Sequence, residues 1–253
     1  METLSLALHH MNSDEVATIL RRDPRILVPV GALDQHGPHL PLGANTMIAQ
    51  RVAESLSSSL KILVAPTLPY GIPHPDSDTH SGTAGFRRKT FHRAVNELLA
   101  SWDGHGVTEL VVITAQRHEP HLEALLTALT PRASTTVVDL MTLDVAEVLE
   151  GDPREERGGE LETSLILHLA PDLVRTDRIA DFNPPKESLR KYLQGRVGTP
   201  LPEFRGSVGH PSRASAEKGR KVYELYLQIL TRSLRNPQIH EESDTHSPEI
   251  HGS

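Results

Sequence analysis

Four apolar runs along the chain indicate short buried β-strands. They are residues 25–33 (RILVPVGAL), 61–69 (KILVAPTLP), 109–116 (ELVVITAQ) and 134–141 (STTVVDLM). None of the runs alternates regularly between apolar and polar positions, so each predicts a strand that is covered on both faces. Strands of this kind are typical of a parallel sheet that carries helices on both sides.

Segments with helical periodicity separate and follow these strands. The pattern predicts helices over residues 46–60, 88–106, 119–129 and 162–174, and a last helix over residues 216–234. In the second helix Phe91, Val95, Leu98 and Leu99 lie on one apolar stripe, and Gly104 or Gly106 supplies the C-terminal stop. The alternation of strands and helices predicts an α/β fold with a mostly parallel sheet and right-handed crossovers.

The length of the chain favours one domain. Its 253 residues, 37% of them apolar, suffice for the core of one large α/β unit, which we expect over residues 1–236. Residues 181–215 are rich in proline and weakly periodic, so they predict long surface excursions. Residues 237–253 have nothing to bury and predict a disordered C-terminal tail.

Composition excludes several classes of function. The formal charge is −7, and no basic run is long enough to neutralise a nucleic-acid backbone. The absence of cysteine excludes disulfides and thiolate chemistry, so any metal would be held by histidine, carboxylate and water. No apolar run approaches the roughly 18 residues of a membrane span, and the N-terminus lacks the pattern of a signal peptide. We therefore expect a cytoplasmic protein that binds neither nucleic acid nor membrane.

Polar clusters follow the predicted strands at the points where the strands end. In an open parallel sheet, ligands bind outside the carboxyl ends of the strands, where loops from several strands converge. The residues predicted at this edge are Asp34, His36, Asn45, His74, Asp76, Asp78, His80, His118, Glu119, His121, Arg157, Glu160 and Glu162. A random scatter of 15 histidines would not produce this concentration.

Each local pattern within this set has two interpretations. Asp34 and His36 lie two positions apart and project to the same side of an extended segment, where both could reach one cation. They could equally belong to a loop in which Asp34 caps a turn and His36 bonds the backbone. His118 and His121 could share a helical face, although Pro120 more naturally marks a helix start.

The combination of motifs resembles one family. "PVGALDQHGPHLPLGANT", "PTLPYGI", "SGT" at 81–83, "GGELETSLILHLAPDLVR" and "GSVGHPSRASAEKG" are similar in order and spacing to the creatininase (creatinine amidohydrolase) family across residues 25–232. The resemblance implies a three-layer α/β/α fold and a homo-oligomer that is often hexameric. It also implies a centre of two zinc or manganese ions that hydrolyses cyclic amides, formamides or peptide bonds.

The chain departs from the family pattern at the positions that matter most. Asp34 replaces a glutamate, Asn45 replaces a metal-bridging aspartate, and Arg157 replaces a histidine. The segment "QRHEPH" keeps His118 but loses the glycines and asparagine of the family motif, and His80 replaces a phenylalanine. A neutral amide brings no charge to offset the repulsion of two cations, so we expect one divalent ion, zinc or manganese, or none.

The site residues predicted on this basis fall into three roles. We expect Asp34, His36, His118 and Glu162 as metal ligands, Glu119 and His118 as catalytic groups, and Asn45, His80, His121 and Arg157 as substrate-binding groups. For Arg157 three alternatives stay open. It could lie on the surface, bind an anionic substrate, or pair with Glu119 or Glu160 and fill the metal space with a salt bridge.

Three functional hypotheses follow for a small-molecule substrate. The first is a metal-dependent hydrolase of a C–N bond with a rebuilt, mononuclear centre. The second is a metal-free, inactive relative that binds a ligand or a partner. The third is a metal-independent enzyme that uses the His, Glu and Arg cluster.

Overall fold

The computed structural model describes residues 5–75, 80–194, 196 and 203–235. Within them five parallel strands form one sheet in the order β1-β3-β2-β4-β5. The strands are β1 (Leu6–Ala7), β2 (Arg25–Val30), β3 (Leu63–Val64), β4 (Glu109–Thr114) and β5 (Ser134–Asp139). The α/β class and the parallel sheet are confirmed. The sequence missed β1, because two residues are too few to show a periodicity.

The register of the central strands sets the edge at which the site lies. β2 pairs with β4 from Arg25↔Glu109 to Val30↔Thr114, and β4 pairs with β5 up to Thr114↔Asp139. Val30, Thr114 and Asp139 therefore end their strands side by side. Loops that leave these three positions emerge over the same edge of the sheet.

Seven α-helices occur in the described residues. They are α1 (Ser13–Arg22), α2 (Ala44–Leu60), α3 (Arg88–Asp103), α4 (Glu119–Leu126), α5 (Glu160–Leu169), α6 (Lys186–Leu193) and α7 (Ala216–Leu234). The sequence analysis missed α1 and α6. A capping box marks the start of α1, where the Asn12 side chain accepts from the Glu15 amide and Glu15 accepts from the Asn12 amide.

The helices cover both faces of the sheet, which gives the expected three layers. One core joins α2, α5 and α7 to the sheet residues Leu27, Val111 and Ile113. The opposite core joins α3 to Ile26 and Val112. Because neighbouring strand residues enter opposite cores, β2 and β4 are buried on both faces, as predicted. The same prediction was wrong for β5, which lies at the edge of the sheet and leaves Ser134 and Thr136 exposed.

Close packing of α5 against α7 fixes the start of α5, which belongs to the site. Gly219 of α7 lies directly over the Ser164 carbonyl, and a Cβ at Gly219 would collide with that oxygen. Ser164 Oγ in turn accepts a hydrogen bond from the Ser215 amide at 3.2 Å. The glycine therefore lets the two helices approach closely.

Two further expectations concern the C-terminal tail and membrane-spanning helices. The tail predicted over residues 237–253 lies outside the described residues. Among the helices of the described residues, none combines the length and the apolar character needed to cross a bilayer.

Candidate active site

The loop after β2 carries Asp34 and His36 into the protein interior. β2 ends at Val30, and Gly31 packs against Thr46 of α2 so closely that a Cβ at position 31 would collide with its side chain. The Asp34 amide donates to the Leu42 carbonyl at 3.0 Å, which closes the loop over the sheet edge. Asp34 and His36 are both 0% exposed. A carboxylate so far from water requires a compensating partner.

Arg157 supplies that partner. Its Nη2 donates to Asp34 Oδ2 at 2.7 Å, and its Nη1 donates to Tyr192 Oη at 2.8 Å. The guanidinium is buried, and the Arg157 backbone is fixed by two hydrogen bonds with Val208. Of the alternatives for Arg157, the surface position is wrong.

The pairing of Arg157 with Glu119 or Glu160 is also wrong. Glu119 lies exposed on the first turn of α4. Glu160 is buried, but it accepts hydrogen bonds from the Glu150 and Gly151 amides and from Lys218 Nζ. Its charge is therefore compensated away from Arg157.

Both carboxylate oxygens of Asp34 accept hydrogen bonds. Besides Arg157, Oδ2 accepts from the His74 amide at 2.9 Å and from Gln116 Nε2 at 3.1 Å, while Oδ1 accepts from the Gln35 amide at 2.9 Å. Burial opposes ionisation, but Arg157 and His74 outweigh it and hold the pKa of Asp34 well below its usual range. Asp34 is thus a carboxylate at any pH near neutral.

Asn45 extends this network through Gln116. Asn45 Nδ2 donates to Gln116 Oε1, and Gln116 Nε2 donates to Asp34 Oδ2 and to the Ile72 carbonyl. The Oδ1 atom of Asn45 is buried and has no hydrogen-bond partner among the described residues. The side-chain nitrogen of Asn45 is therefore bound to Gln116, and its Oδ1 atom is available to accept a hydrogen bond.

Glu162 pairs with His36 rather than with an arginine. His36 Nδ1 lies 3.3 Å from Glu162 Oε1, and Glu162 Oε2 accepts from the Gly158 amide. Burial raises the pKa of Glu162, but the charges of His36 and Arg157 and the Gly158 amide outweigh burial and lower it. Gly158 has a φ of +60°, which brings its amide into position at the start of α5.

Two further histidines stack beside Asp34. The rings of His74 and His118 have centroids 4.4 Å apart, and His118 Nδ1 contacts the Ile72 carbonyl at 3.2 Å. His118 Nε2 is buried without a hydrogen-bond partner among the residues that the structure describes. Burial, the largest effect, lowers the pKa of His118 to about 4, so its imidazole is neutral at neutral pH.

His121, predicted to bind substrate, lies beneath the site. Its Nδ1 accepts from the Ile72 amide at 3.2 Å, its Nε2 contacts Thr114 Oγ1 at 3.2 Å, and its ring stacks on Phe91. Both nitrogens are thus engaged with the fold. Burial lowers the pKa of His121 to about 3.

The other predicted residues lie at the margin or beyond the described part of the chain. His80 is partly buried and borders the segment 76–79, which lies outside the described residues together with Asp76 and Asp78. Glu119, predicted as a catalytic group, is exposed as noted above. Substrate-binding and catalytic roles for His80 and Glu119 stay predictions.

Sequence reasoning missed four groups at this edge, of which Gln116 and Tyr192 are buried and Arg117 and Asp139 are partly buried. They are Gln116 and Arg117 after β4, Asp139 at the end of β5, and Tyr192 of α6. Burial raises the pKa of Asp139 to about 6. The strand-end rule could have found Gln116 and Asp139 had the predicted strands ended earlier, whereas nothing in the proline-rich segment around Tyr192 signalled a contact with Arg157.

A small cavity adjoins these residues. Its volume is about 10 Å³, and its lining includes Asn45, Arg117, Glu156, Arg157 and Glu162. This is about the space that one water molecule needs.

Comparison with known proteins places this arrangement in a family. The family model of creatininase, described as creatinine amidohydrolase, matches residues 9–234. The chain belongs to the creatininase family. The family expected from the motifs is therefore confirmed, and with it the implied fold.

Individual relatives agree with this assignment. The chain is 30% identical over 211 residues to the mycofactocin precursor peptide peptidase of Mycolicibacterium smegmatis, which covers 79% of this chain and 80% of the relative. It is 26% identical over 243 residues to the creatinine amidohydrolase of Pseudomonas putida, covering 87% and 92%. A solved mutant creatininase of Zn-Zn type superposes with a TM-score of 0.74 at 23% identity, covering 91% and 97%.

The residues present do not fit a two-cation centre of this kind. Asn45 brings no charge to a bridging position, and Arg157 already places a positive charge on Asp34. Within residues 5–75, 80–194, 196 and 203–235, no three His, Asp or Glu side chains are placed to hold one metal ion.

The four side chains predicted to bind a single metal ion each have other partners. They are Asp34, His36, His118 and Glu162. Asp34 is bound to Arg157, His36 pairs with Glu162, and His118 contacts the Ile72 carbonyl. In this arrangement the four side chains do not converge on one point, and their role as ligands stays a prediction.

Proposed function

We propose that the chain hydrolyses a C–N bond in a small amide-containing molecule. The names of its relatives describe an amidohydrolase and a peptidase, both of which act on C–N bonds. The observation that carries the proposal is a set of buried polar atoms, His36 Nε2, His118 Nε2 and Asn45 Oδ1, without hydrogen-bond partners in the described residues. Buried polar atoms of this kind call for a ligand or water.

His118 is the group best suited to activate water. Its imidazole is neutral at neutral pH, and its Nδ1 contact with the Ile72 carbonyl fixes Nδ1 as the protonated nitrogen, which leaves the Nε2 lone pair to accept a hydrogen bond from water. In this scheme Nε2 takes a proton from the attacking water and later returns it to the leaving nitrogen. The stacked ring of His74 holds the His118 ring in place.

Asn45 and the His36–Glu162 pair orient the substrate. Asn45 Oδ1 accepts a hydrogen bond from the N–H of an amide, because its own amide nitrogen already serves Gln116. Glu162, ionised and tied to the Gly158 amide, orients the His36 ring. Arg157 contributes a permanent positive charge to the centre, which favours the developing negative charge on a carbonyl oxygen.

A single-cation hydrolase is the competing version of this proposal. It uses Asp34, His36, His118 and Glu162 as ligands of zinc or manganese, as predicted from the sequence, with Glu119 as proton carrier. It requires Arg157 to leave Asp34, because a cation bound to Asp34 would repel the guanidinium that donates to Oδ2 at 2.7 Å.

The test is turnover of a substrate panel. Lactams, formamides, cyclic ureas and short peptides are assayed with chelator and, separately, with added zinc or manganese. We expect turnover of at least one class, and a loss of about 100-fold or more in kcat/KM for His118→Gln. His105→Gln, at an exposed histidine, is the matched control and should leave the rate unchanged.

A ligand-binding role without catalysis is the second candidate function. The small cavity and the altered centre favour it, because the site of about 10 Å³ admits little more than water as it stands. Under this alternative, members of the panel raise the melting temperature but are recovered unchanged. Such a result would replace the hydrolase proposal.

The oligomeric state is a further proposal. By resemblance we propose a homo-oligomer, a hexamer. Light scattering of the purified chain measures its mass directly, and a monomer would contradict the proposal.

A further inference from the structure

The buried guanidinium of Arg157 supplies Asp34 with the positive charge that a metal cation would otherwise supply. Its side chain is 3% exposed and contacts a carboxylate that is 0% exposed. A buried arginine persists only where its charge is paired and its donors are used. Arg157 pairs its charge with Asp34 and donates a further hydrogen bond to Tyr192, so the buried guanidinium is stabilised within the fold.

Two side-chain amides near Asp34 are also oriented to suit a carboxylate there. Asn45 Nδ2 donates to Gln116 Oε1, and Gln116 Nε2 donates to Asp34 Oδ2. N–H groups point their positive ends toward Asp34 and cannot coordinate a cation. A metal ion approaching Asp34 would therefore have to displace Arg157 and reverse at least one amide.

The substitution at position 45 completes the balance. A carboxylate there would put a second negative charge near Asp34, against the single positive charge of Arg157, whereas the amide adds none. Arg157 and Asn45 therefore form a matched pair, in which one adds a positive charge and the other avoids a negative one.

We infer that Arg157, paired with Asp34 and matched by neutral Asn45, is a built-in substitute for the metal cation and makes the centre of this chain metal-independent. The inference concerns the state of the centre and stands whether or not the proposed hydrolysis is found. It predicts that the full chain neither requires nor tightly binds zinc or manganese. It also predicts that metal affinity returns when the two substitutions are reversed together.

The experiment is a titration of the full-length chain with Zn²⁺ and with Mn²⁺, freed of metal by chelator and dialysed. Isothermal calorimetry gives the affinity, and the melting temperature gives an independent readout. Three chains are compared: the natural one, the double variant Asn45→Asp/Arg157→His, and the control Arg154→His. The control adds an imidazole to the same loop at an exposed position.

We expect the natural chain and Arg154→His to show only weak, non-stoichiometric binding and no rise in melting temperature. The double variant should bind a stoichiometric amount of metal at least about 100-fold more tightly, with a rise in melting temperature. Tight stoichiometric binding by the natural chain would overturn the inference. So would a folded double variant that binds no better than the natural chain.

A second variant keeps the inference testable if the double variant does not fold. Arg157→Lys keeps the positive charge, so it should remain without stoichiometric metal, like the natural chain. If the natural chain or Arg157→Lys binds zinc or manganese tightly, the built-in cation does not exclude metal and the inference is wrong.

Discussion

The two buried acids of the site, Asp34 and Glu162, differ in the partner that neutralises them. Asp34 pairs with the guanidinium of Arg157, which is always charged, whereas Glu162 pairs with the imidazole of His36. The Asp34 half is therefore locked by a permanent ion pair. The Glu162 half rests on a pair in which His36 Nδ1 lies 3.3 Å from Glu162 Oε1, and His36 Nε2 has no hydrogen-bond partner among the described residues. We expect the first pair to contribute more to stability than the second.

Removing Arg157 should produce the largest effect. Arg157→Gln leaves Asp34 as a buried, unpaired carboxylate, so we expect a loss of about 3–5 kcal/mol in the free energy of unfolding. Urea denaturation measures it. Arg154→Gln, at an exposed arginine of the same loop, should change the free energy of unfolding by less than about 1 kcal/mol.

A double variant sharpens this first prediction. Asp34→Asn/Arg157→Gln removes both charges together and should be more stable than Arg157→Gln alone. If the single variant loses less than about 1 kcal/mol, the ion pair does not carry the stability assigned to it.

The hydroxyl of Tyr192 should contribute less. Tyr192→Phe removes the hydrogen bond from the charged Arg157 and a longer one from Gln35 Nε2, and we expect it to cost about 1.5–3 kcal/mol. Denaturation of this variant against Tyr70→Phe, at an exposed tyrosine, separates the effect from a general loss of hydroxyl groups. An equal change in the free energy of unfolding of both variants would show that the Tyr192 hydroxyl does not stabilise the buried Arg157.

The pH dependence of stability probes the neutral histidines. The folded-state pKa of His121 is lowered to about 3 by burial, below its unfolded value near 6.5. The unfolded chain then binds a proton that the folded chain does not, so this stability is present above about pH 6.5 and is lost as the pH falls toward the folded pKa. His121→Gln should reduce the slope of unfolding free energy between about pH 6 and pH 4 by about 1.4 kcal/mol per pH unit. His105→Gln should leave the slope unchanged, and equal slopes in all three chains would contradict the prediction.

Neutralising Glu162 should have the smallest effect on stability. Gln can still accept from the Gly158 amide and donate to His36 Nδ1, so Glu162→Gln should cost about 1 kcal/mol or less. Its rate of C–N hydrolysis should nevertheless fall, because His36 loses the charge that orients it. Glu147→Gln, at an exposed glutamate, is the control for both readouts. A loss of stability as large as that of Arg157→Gln would contradict the claim that the Asp34 pair stabilises the fold more than the Glu162 pair does.

The fold could be predicted largely because the strands are apolar on both faces. Their continuous runs and the helical periodicity between them gave the α/β class and the parallel sheet. The short strand β1 and helix α6 were missed, because two residues and a weakly periodic, proline-rich segment carry little pattern. Helix α1 had a readable capping box that the sequence analysis did not use.

The site could be predicted in its location but not in its pairing. The strand-end rule brought Asp34, Asn45 and His118 to one edge. The partner of Arg157 could not be found in this way, because Asp34 lies 123 positions away along the chain and Glu160 lies much nearer. Only the fold shows that Glu160 is already held by Lys218 and by two backbone amides.

Crystals of the full chain grown with millimolar zinc and measured at the zinc absorption edge test the central claim most directly. We predict no anomalous peak within bonding distance of Asp34, and a guanidinium of Arg157 that still donates to its Oδ2. An anomalous peak bonded to Asp34 together with His36 or His118, with Arg157 displaced, would contradict the claim that the arginine has replaced the metal.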